Sequence, residues 1–197
     1  MTVAVKAVTT GTRAFARTLA VEKRRQERAL FTAVRVEGFR QWRNLKKEIR
    51  SSAPGGNRLA PLSFMARITK GGRLKPDKPL KRLAALARYQ VQYGQDFEFR
   101  FGWDTPRVSA SVRKIAKRAQ EGYTVSITPA KRRALARIAG GLGPRSRARR
   151  YLFLRKSTVS AHVPARELME PYWAAHRDEA RRNIRRNFRR KMKGEYI

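Results

Sequence analysis

Small and apolar residues recur at intervals of three and four between residues 12 and 50, which places them along one side of a helix. They are Phe31, Val34, Gly38, Trp42, Leu45 and Ile49, and Lys and Arg occupy much of the remaining surface. We therefore predict one long amphipathic helix over residues 12–50. Its apolar side needs a docking surface, either on the chain's own sheet or on a neighbouring subunit. The length of the helix favours partial docking on a neighbour.

Aromatic residues alternate with polar ones on both sides of Gly94-Gln95-Asp96. Before this turn the alternating residues are Tyr89, Val91 and Tyr93, and after it they are Phe97, Phe99 and Phe101. A period of two predicts a β-hairpin with one aromatic face. So strict an alternation favours a face packed in the core over a platform on which single-stranded bases stack.

Two further helices are predicted between residues 104 and 141. The first ends at Gly122, and its candidate caps are Asp104, Thr105 and Ser109. The second opens at Thr128-Pro129 and closes at Gly140-Gly141. Residues 124–127 alternate as a short strand between the two helices.

The pattern of residues in the last part of the chain predicts a second hairpin and a final helix. Residues 151–154 and 158–163 are expected to pair around Arg155-Lys156-Ser157. From about Pro171 onward, one stripe of a helix carries Trp173, Ala180, Ile184, Phe188 and Met192. Opposite this stripe lie three pairs of arginines, Arg181/Arg182, Arg185/Arg186 and Arg189/Arg190.

Together these elements predict an α+β fold, in which an antiparallel sheet carries long basic amphipathic helices at both termini. We divide the chain into a long N-terminal amphipathic helix, residues 1–50, a Pro/Gly-rich basic loop, residues 51–82, and a core with the basic C-terminal helix, residues 83–197. Proline and glycine interrupt every period in the loop, as in Ala53-Pro54-Gly55-Gly56. Loops of this length commonly serve as binding arms.

The charge of the chain implies a polyanionic neighbour. There are 48 Lys+Arg against 14 Asp+Glu, a formal net charge of +34. Self-repulsion at this charge opposes folding unless phosphates, anionic lipid or a carboxylate-rich surface neutralise it. The six arginines of the final helix are the candidate contacts to DNA or RNA phosphates, and a helix lying on a membrane surface has the same appearance. No apolar run approaches the roughly 20 residues that span a bilayer, so we expect a soluble intracellular protein without a membrane partner.

Candidate catalytic groups are scarce. The absence of cysteine excludes disulfides and thiolate chemistry, and the two histidines, His162 and His176, cannot form a His-rich metal site. Most carboxylates are single and suit ion pairs within helices. Asp77 followed by Glu98-Phe99-Arg100 is a faint match to a metal-dependent nuclease pattern, but Asp77 falls in a proline-broken loop. We expect no enzyme activity, no metal and no cofactor.

Several segments between residues 83 and 193 resemble the virion-morphogenesis, or tail-completion, proteins of Mu-like and related tailed bacteriophages. The most specific of them is the turn Val163-Pro164-Ala165-Arg166, after which family members often place a second proline and this chain places Glu167. The other matching segments are Phe99-Arg100-Phe101-Gly102, Gly122 with residues 123–128, Lys131-Arg132-Arg133-Ala134-Leu135, and Leu154-Arg155-Lys156-Ser157-Thr158.

The resemblance implies a structural, non-catalytic virion protein that forms a ring, typically hexameric, at the head–tail junction. Such a neck subunit is assembled in the host cytoplasm and joins the tail tube or terminator to a connector protein, and it can also line the path of genomic DNA. The candidate assembly contacts are Val163, Pro164, Ala165, Arg166, Trp42 and Trp173. A second hypothesis, from the residues alone, is a basic nucleic-acid-binding structural protein of ribosomal or nucleoid type.

Overall fold

The structure is a computed structural model, which describes residues 12–62, 67, 76–77, 80–93, 97–143, 149, 152 and 154–197. Residues 63–66, 68–75 and 78–79 of the predicted loop, the turn at 94–96 and most of the basic connector at 144–150 lie outside the described residues. The predicted α+β fold is confirmed, and its strands form two separate two-stranded antiparallel sheets. The elements are α1 (Thr12–Ser51), a 3₁₀ helix (Pro54–Gly56), α2 (Lys81–Leu86), β1 (Arg88–Gln92), β2 (Glu98–Gly102), α3 (Ala110–Glu121), β3 (Tyr123–Ser126), α4 (Pro129–Gly140), β4 (Ser160–Val163) and α5 (Met169–Met192).

The predicted N-terminal helix is confirmed as α1, and it packs along α5 in the opposite direction. Arg25 donates to the carbonyl of Met192 near one end of the pair, and Glu48 contacts His176 near the other. Ala29 and Ala33 of α1 are buried between these ends. Their small side chains allow a close approach of the two helices. The C-terminal half of α1 therefore docks within its own chain, whereas residues 14–21 are exposed.

The first predicted hairpin is confirmed, with Tyr89 opposite Phe101 and Val91 opposite Phe99. It lies against α1 at Gly38, where a Cβ would be 3.0 Å from the Cβ of Phe99. The expectation that its aromatic face forms the core is only partly right, because Tyr93 is 62% exposed and the other rings are half-buried. The main core lies beside it, where the end of α1 meets α2, α3 and the start of α5. Its largest members include Leu45, Ile49, Leu83, Trp103, Leu168 and Tyr172.

The second predicted hairpin is wrong. Residues 160–163 do form a strand, but β4 pairs with β3, Tyr123 opposite Val163 and Ser126 opposite Ser160. The segment that would have turned the hairpin instead wraps around the guanidinium of Arg132 on α4. That group donates hydrogen bonds to the carbonyls of Leu154, Arg155, Lys156 and Thr158. Because those carbonyls accept from a side chain, residues 154–158 lie outside any strand.

The predicted caps of α3 and α4 are found, and the predicted stripe of α5 is displaced. Ser109 occupies the N-cap of α3, and Thr128 at the N-cap of α4 accepts a hydrogen bond from the Lys131 N–H. The buried face of α5 consists of Tyr172, Ala180, Asn183 and Asn187. Of the predicted apolar stripe, Ala180 lies on that face, whereas Ile184, Phe188 and Met192 are half-buried beside it and Trp173 is exposed.

Gly122, which ends α3, is the point at which the β3–β4 sheet meets the turn after β4. Its φ is +75°, and a Cβ there would lie 2.8 Å from the backbone nitrogen of Ala165 and 2.9 Å from the carbonyl oxygen of Val163. A side chain would therefore strain the backbone and collide with atoms that cannot rotate away.

We expect Gly122→Ala to lower the free energy of unfolding by about 2–4 kcal/mol, from the strain of positive φ together with the displaced backbone. Urea unfolding followed by circular dichroism measures this change. Gly140→Ala is the matched control, because no atom lies within 4 Å of its Cβ position at the end of α4. Equal stability of the two variants would contradict this account of Gly122.

Candidate polyanion-binding surface

A buried polar layer joins α1 to α5. Glu37 and Gln41 are fully buried, and the Gln41 side-chain amide donates to Glu37 Oε1 at 2.6 Å. From α5, the Tyr172 hydroxyl donates to Gln41 Oε1 at 2.7 Å, and the Asn183 amide lies 3.4 Å from Glu37 Oε1. Buried polar groups are costly without partners, so this layer favours one alignment of the two helices.

Two other carboxylates, Glu48 and Glu179, also link α1 to α5. Glu48 lies 2.7 Å from His176 Nε2 and accepts the Gly55 N–H through its other oxygen at 2.7 Å. Glu179 accepts from the Arg40 guanidinium at 2.7 Å. Since these acids are engaged between the helices, the outer face of α5 is left with an excess of cations.

The predicted arginine pairs occupy that outer face, and all six side chains are exposed. Three of them have polar partners: Arg181 lies 3.7 Å from Asp178, Arg186 donates to Asn183 at 2.8 Å, and Arg190 pairs with Glu195 at 2.7 Å. The others, Arg182, Arg185 and Arg189, have no carboxylate partner within the described residues. We call the six residues the arginine face.

The arginine face has dimensions that suit a phosphate backbone. From Arg181 to Arg190 the helix rises about 14 Å, at roughly 1.5 Å per residue. Duplex DNA presents a negative charge about every 1.7 Å along its axis, so the face can contact several phosphates. Such contacts are electrostatic and carry no information about base sequence.

A second cationic surface lies on α1 beside β1 and was missed by sequence reasoning. We call it the α1 patch, and it consists of Phe39, Trp42, Arg43, Lys46, Arg50, Arg88 and Tyr89. The Lys46 ammonium is 4.2 Å from the centre of the Trp42 ring, and the Arg43 guanidinium is 5.8 Å from that of Phe39. The rings of Phe39, Trp42 and Tyr89 lie 5.4–5.6 Å apart.

The electrostatics of the α1 patch favour an anion. Partial burial lowers the pKa of Lys46, and the positive charges of Arg50 and Arg88 lower it further. A negatively charged ligand would relieve this repulsion. The sequence does contain a signal for this surface, which is the spacing by three and four of Phe39, Trp42, Arg43, Lys46 and Arg50. It was missed because Trp42 belongs to the stripe that was assigned to packing.

The predicted assembly contacts are separated by the structure. Arg166 is only 6% exposed, and its guanidinium donates to the carbonyls of Ala60 and Pro61 at 2.9 and 3.1 Å. Its contact is therefore within the chain, which corrects its assignment to a neighbour. Trp42 is half-buried and donates to the Ala87 carbonyl at 2.8 Å.

Other members of that set remain open to a neighbour. Pro164 and Ala165 are exposed, Val163 is half-buried, and Trp173 is 38% exposed beside the rings of Phe99 and Phe101. These four residues remain predicted assembly contacts.

The nuclease-like residues are not brought together. Asp77 accepts the Leu62 N–H at 2.9 Å, whereas Glu98 is paired with Arg100 through two hydrogen bonds of 3.0 and 3.1 Å. Among the described residues, no group of three or more His, Asp or Glu side chains is placed to hold a metal ion. No helix in that same part of the chain is long and apolar enough to cross a membrane.

Comparisons with protein-family models, with curated proteins and with solved structures found no match to this chain.

Deprotonation of Tyr172 should destabilise the fold at high pH. Burial raises the pKa of Tyr172, and the nearby charges of Glu48 and Glu37 raise it further. Above about pH 10 the unfolded chain releases a proton that the folded chain keeps, so stability falls by up to ~1.4 kcal/mol per pH unit. Tyr172→Phe should remove this part of the pH dependence in urea unfolding at and above about pH 10. Tyr196→Phe, at a residue 92% exposed, is the control and should leave the dependence unchanged.

Replacing Arg182, Arg185 and Arg189 together by Gln should weaken DNA binding and flatten its salt dependence. Each lost phosphate contact lowers the slope of log affinity against log salt by about 0.9, so the triple variant should lose about 2–3. Fluorescence anisotropy with a labelled duplex over a salt series measures the slope. The control carries the same charge change on α3, at the exposed residues Arg113, Lys114 and Arg118. Equal losses in both variants would assign the binding to net charge rather than to the arginine face.

Proposed function

We propose that this chain is a structural virion protein of a tailed bacteriophage, which forms a ring at the head–tail junction and has no catalytic activity. The observation that carries the proposal is the arginine face, four of whose six side chains have no carboxylate partner in the described chain. Such a surface attracts a polyanionic neighbour. Genomic DNA, which passes through the neck, is one neighbour of that kind.

The resemblance to tail-completion proteins supports the same role. The segments that carry it include parts of β2 and β3 and the turn after β4. Phe99 to Gly102 form most of β2, residues 123–126 form β3, and the Val163-Pro164-Ala165-Arg166 turn packs against Gly122. Arg166 also ties residues 60 and 61 to this turn. The matching segments thus shape the body of the subunit, and Pro164 and Ala165 among them are exposed and open to a neighbour.

A ring subunit must also hold its neighbours, and the start of α1 offers a means. Phe15, Leu19 and Val21 are 66%, 55% and 66% exposed on a helix whose later residues are docked. Apolar side chains on an otherwise basic helix gain free energy when a partner covers them, at about 25 cal/mol per Å².

A basic nucleic-acid-binding structural protein of ribosomal or nucleoid type is the second candidate. It is favoured by the same arginine face, which would bind phosphates in a monomer equally well. The two candidates differ in whether the protein assembles by itself when nucleic acid is absent.

The ring is tested with the full chain after nuclease treatment and a high-salt wash, which remove nucleic acid that could act as a scaffold. We expect mass photometry to show one closed oligomer and negative-stain electron microscopy to show a ring with a central opening. A chain that stays monomeric at all concentrations and still binds DNA with a steep salt slope would contradict the ring and support the second candidate.

A further inference from the structure

An apolar groove lies between β2 and α5, beside the main core, against which its residues Phe101 and Met169 also pack. Its floor is formed by Phe97, Phe99, Phe101, Met169 and Trp173. The Phe99 and Phe101 rings are stacked with centres 5.8 Å apart, and Trp173 lies 6.1 and 5.9 Å from them. We call this the aromatic groove. In the isolated chain, each residue of its floor is at least partly exposed to solvent.

Acidic residues line the rim of the aromatic groove. Glu98, Asp104 and Glu170 border it and are exposed, so three of the 14 carboxylates in this very basic chain lie around one groove. The cation among the lining residues is Arg100, which is already held by Glu98 at 3.0 Å. The groove therefore combines a hydrophobic floor with a net negative rim.

The start of α1 has the opposite character. We call residues 14–24 the arm, and they precede Arg25, which contacts the end of α5. Phe15 and Leu19 are four residues apart and thus lie on one side of the helix, where they are exposed. The exposed cations of the arm are Arg17, Lys23 and Arg24.

The arm cannot reach the groove of its own chain. The helix α1 is continuous from Thr12 to Ser51, and the groove residue Phe99 packs on it at Gly38. Phe15 is 23 residues before Gly38, which along a helix is about 35 Å. An arm that fills such a groove must therefore belong to another molecule.

We propose that the arm of one copy docks in the aromatic groove of the next copy, with Phe15 and Leu19 on the aromatic floor and the arm's cations on the acidic rim. This inference rests on the proposed ring and names the contact that builds it. Because each copy uses two different surfaces, the contact is head-to-tail, and a head-to-tail contact closes into a ring when its rotation divides a full turn.

Two variants of the full chain test the proposal. The first, Phe15→Ser/Leu19→Ser, disables the arm and keeps the groove, and the second, Asp104→Lys/Glu170→Lys, reverses the rim and keeps the arm. All four positions are exposed, so both variants should fold, which circular dichroism and thermal unfolding verify. The controls are Ala14→Ser/Ala20→Ser on the arm and Asp178→Lys/Glu195→Lys on the exposed surface of the C-terminal region.

Each variant alone should assemble at least about tenfold more weakly than the unmodified chain, which corresponds to about 1.4 kcal/mol. The controls should assemble normally. An equimolar mixture of the two variants should form dimers and nothing larger, because one partner supplies the only working groove and the other supplies the only working arm. Mass photometry measures all three results.

The remaining outcomes show whether the arm contact, the ring or both are wrong. Rings from the unmodified chain and from both variants would overturn the arm contact and leave the ring in place. Open chains or dimers that the variants lose would support the arm contact and overturn the ring. A monomer at every concentration would overturn both.

Discussion

The alignment of α1 with α5 depends on the buried polar layer formed by Glu37, Gln41, Tyr172 and Asn183. Apolar helix faces slide past each other at little cost, whereas a buried carboxylate and amide must meet their partners. A shift by one turn would take the Gln41 side chain away from the Tyr172 hydroxyl and the Asn183 amide away from Glu37. The layer thus determines which side of α5 is buried, and by the same step which side carries the exposed arginines.

The distribution of the few carboxylates shapes the surface of this molecule. Glu37, Glu48 and Glu179 are engaged between the two long helices, where they accept hydrogen bonds. Glu98, Asp104 and Glu170 gather around the aromatic groove. Within the described residues, the α1 patch contains no carboxylate, and the arginine face has Asp178 and Glu195 as its carboxylate partners. A net charge of +34 is therefore divided into cationic surfaces and one acidic groove, an arrangement suited to contacts with both polyanions and basic helices.

Some of the positive charge stabilises the fold itself. Arg132 holds four carbonyls of residues 154–158, and Arg166 holds those of Ala60 and Pro61. Guanidinium groups suit this role because their five donors lie in one plane and stay charged at every physiological pH. These two arginines organise loops that have few backbone hydrogen bonds of their own, so they belong to the structure rather than to a binding surface.

The sequence by itself determined the local elements whose signals are complete within a few residues. The long helix α1, the aromatic hairpin β1–β2 and the Thr128-Pro129 start of α4 are confirmed, because periodicity and capping act through neighbours along the chain. The arginine pairs lie exposed on a helix, as their spacing predicts. The short helix α2 was missed, since its six residues are too few to show a period.

Only the tertiary structure decided which elements meet. It paired β4 with β3 across the whole of α4, because Arg132 occupies the carbonyls of the nearer segment, and it placed Arg166 inside the molecule. It also buried Asn183 and Asn187 beside Ala180, and α1 offers Asn183 the carboxylate of Glu37. Polar side chains count as surface residues in any pattern of hydrophobicity, and only a partner that is distant in sequence makes their burial favourable.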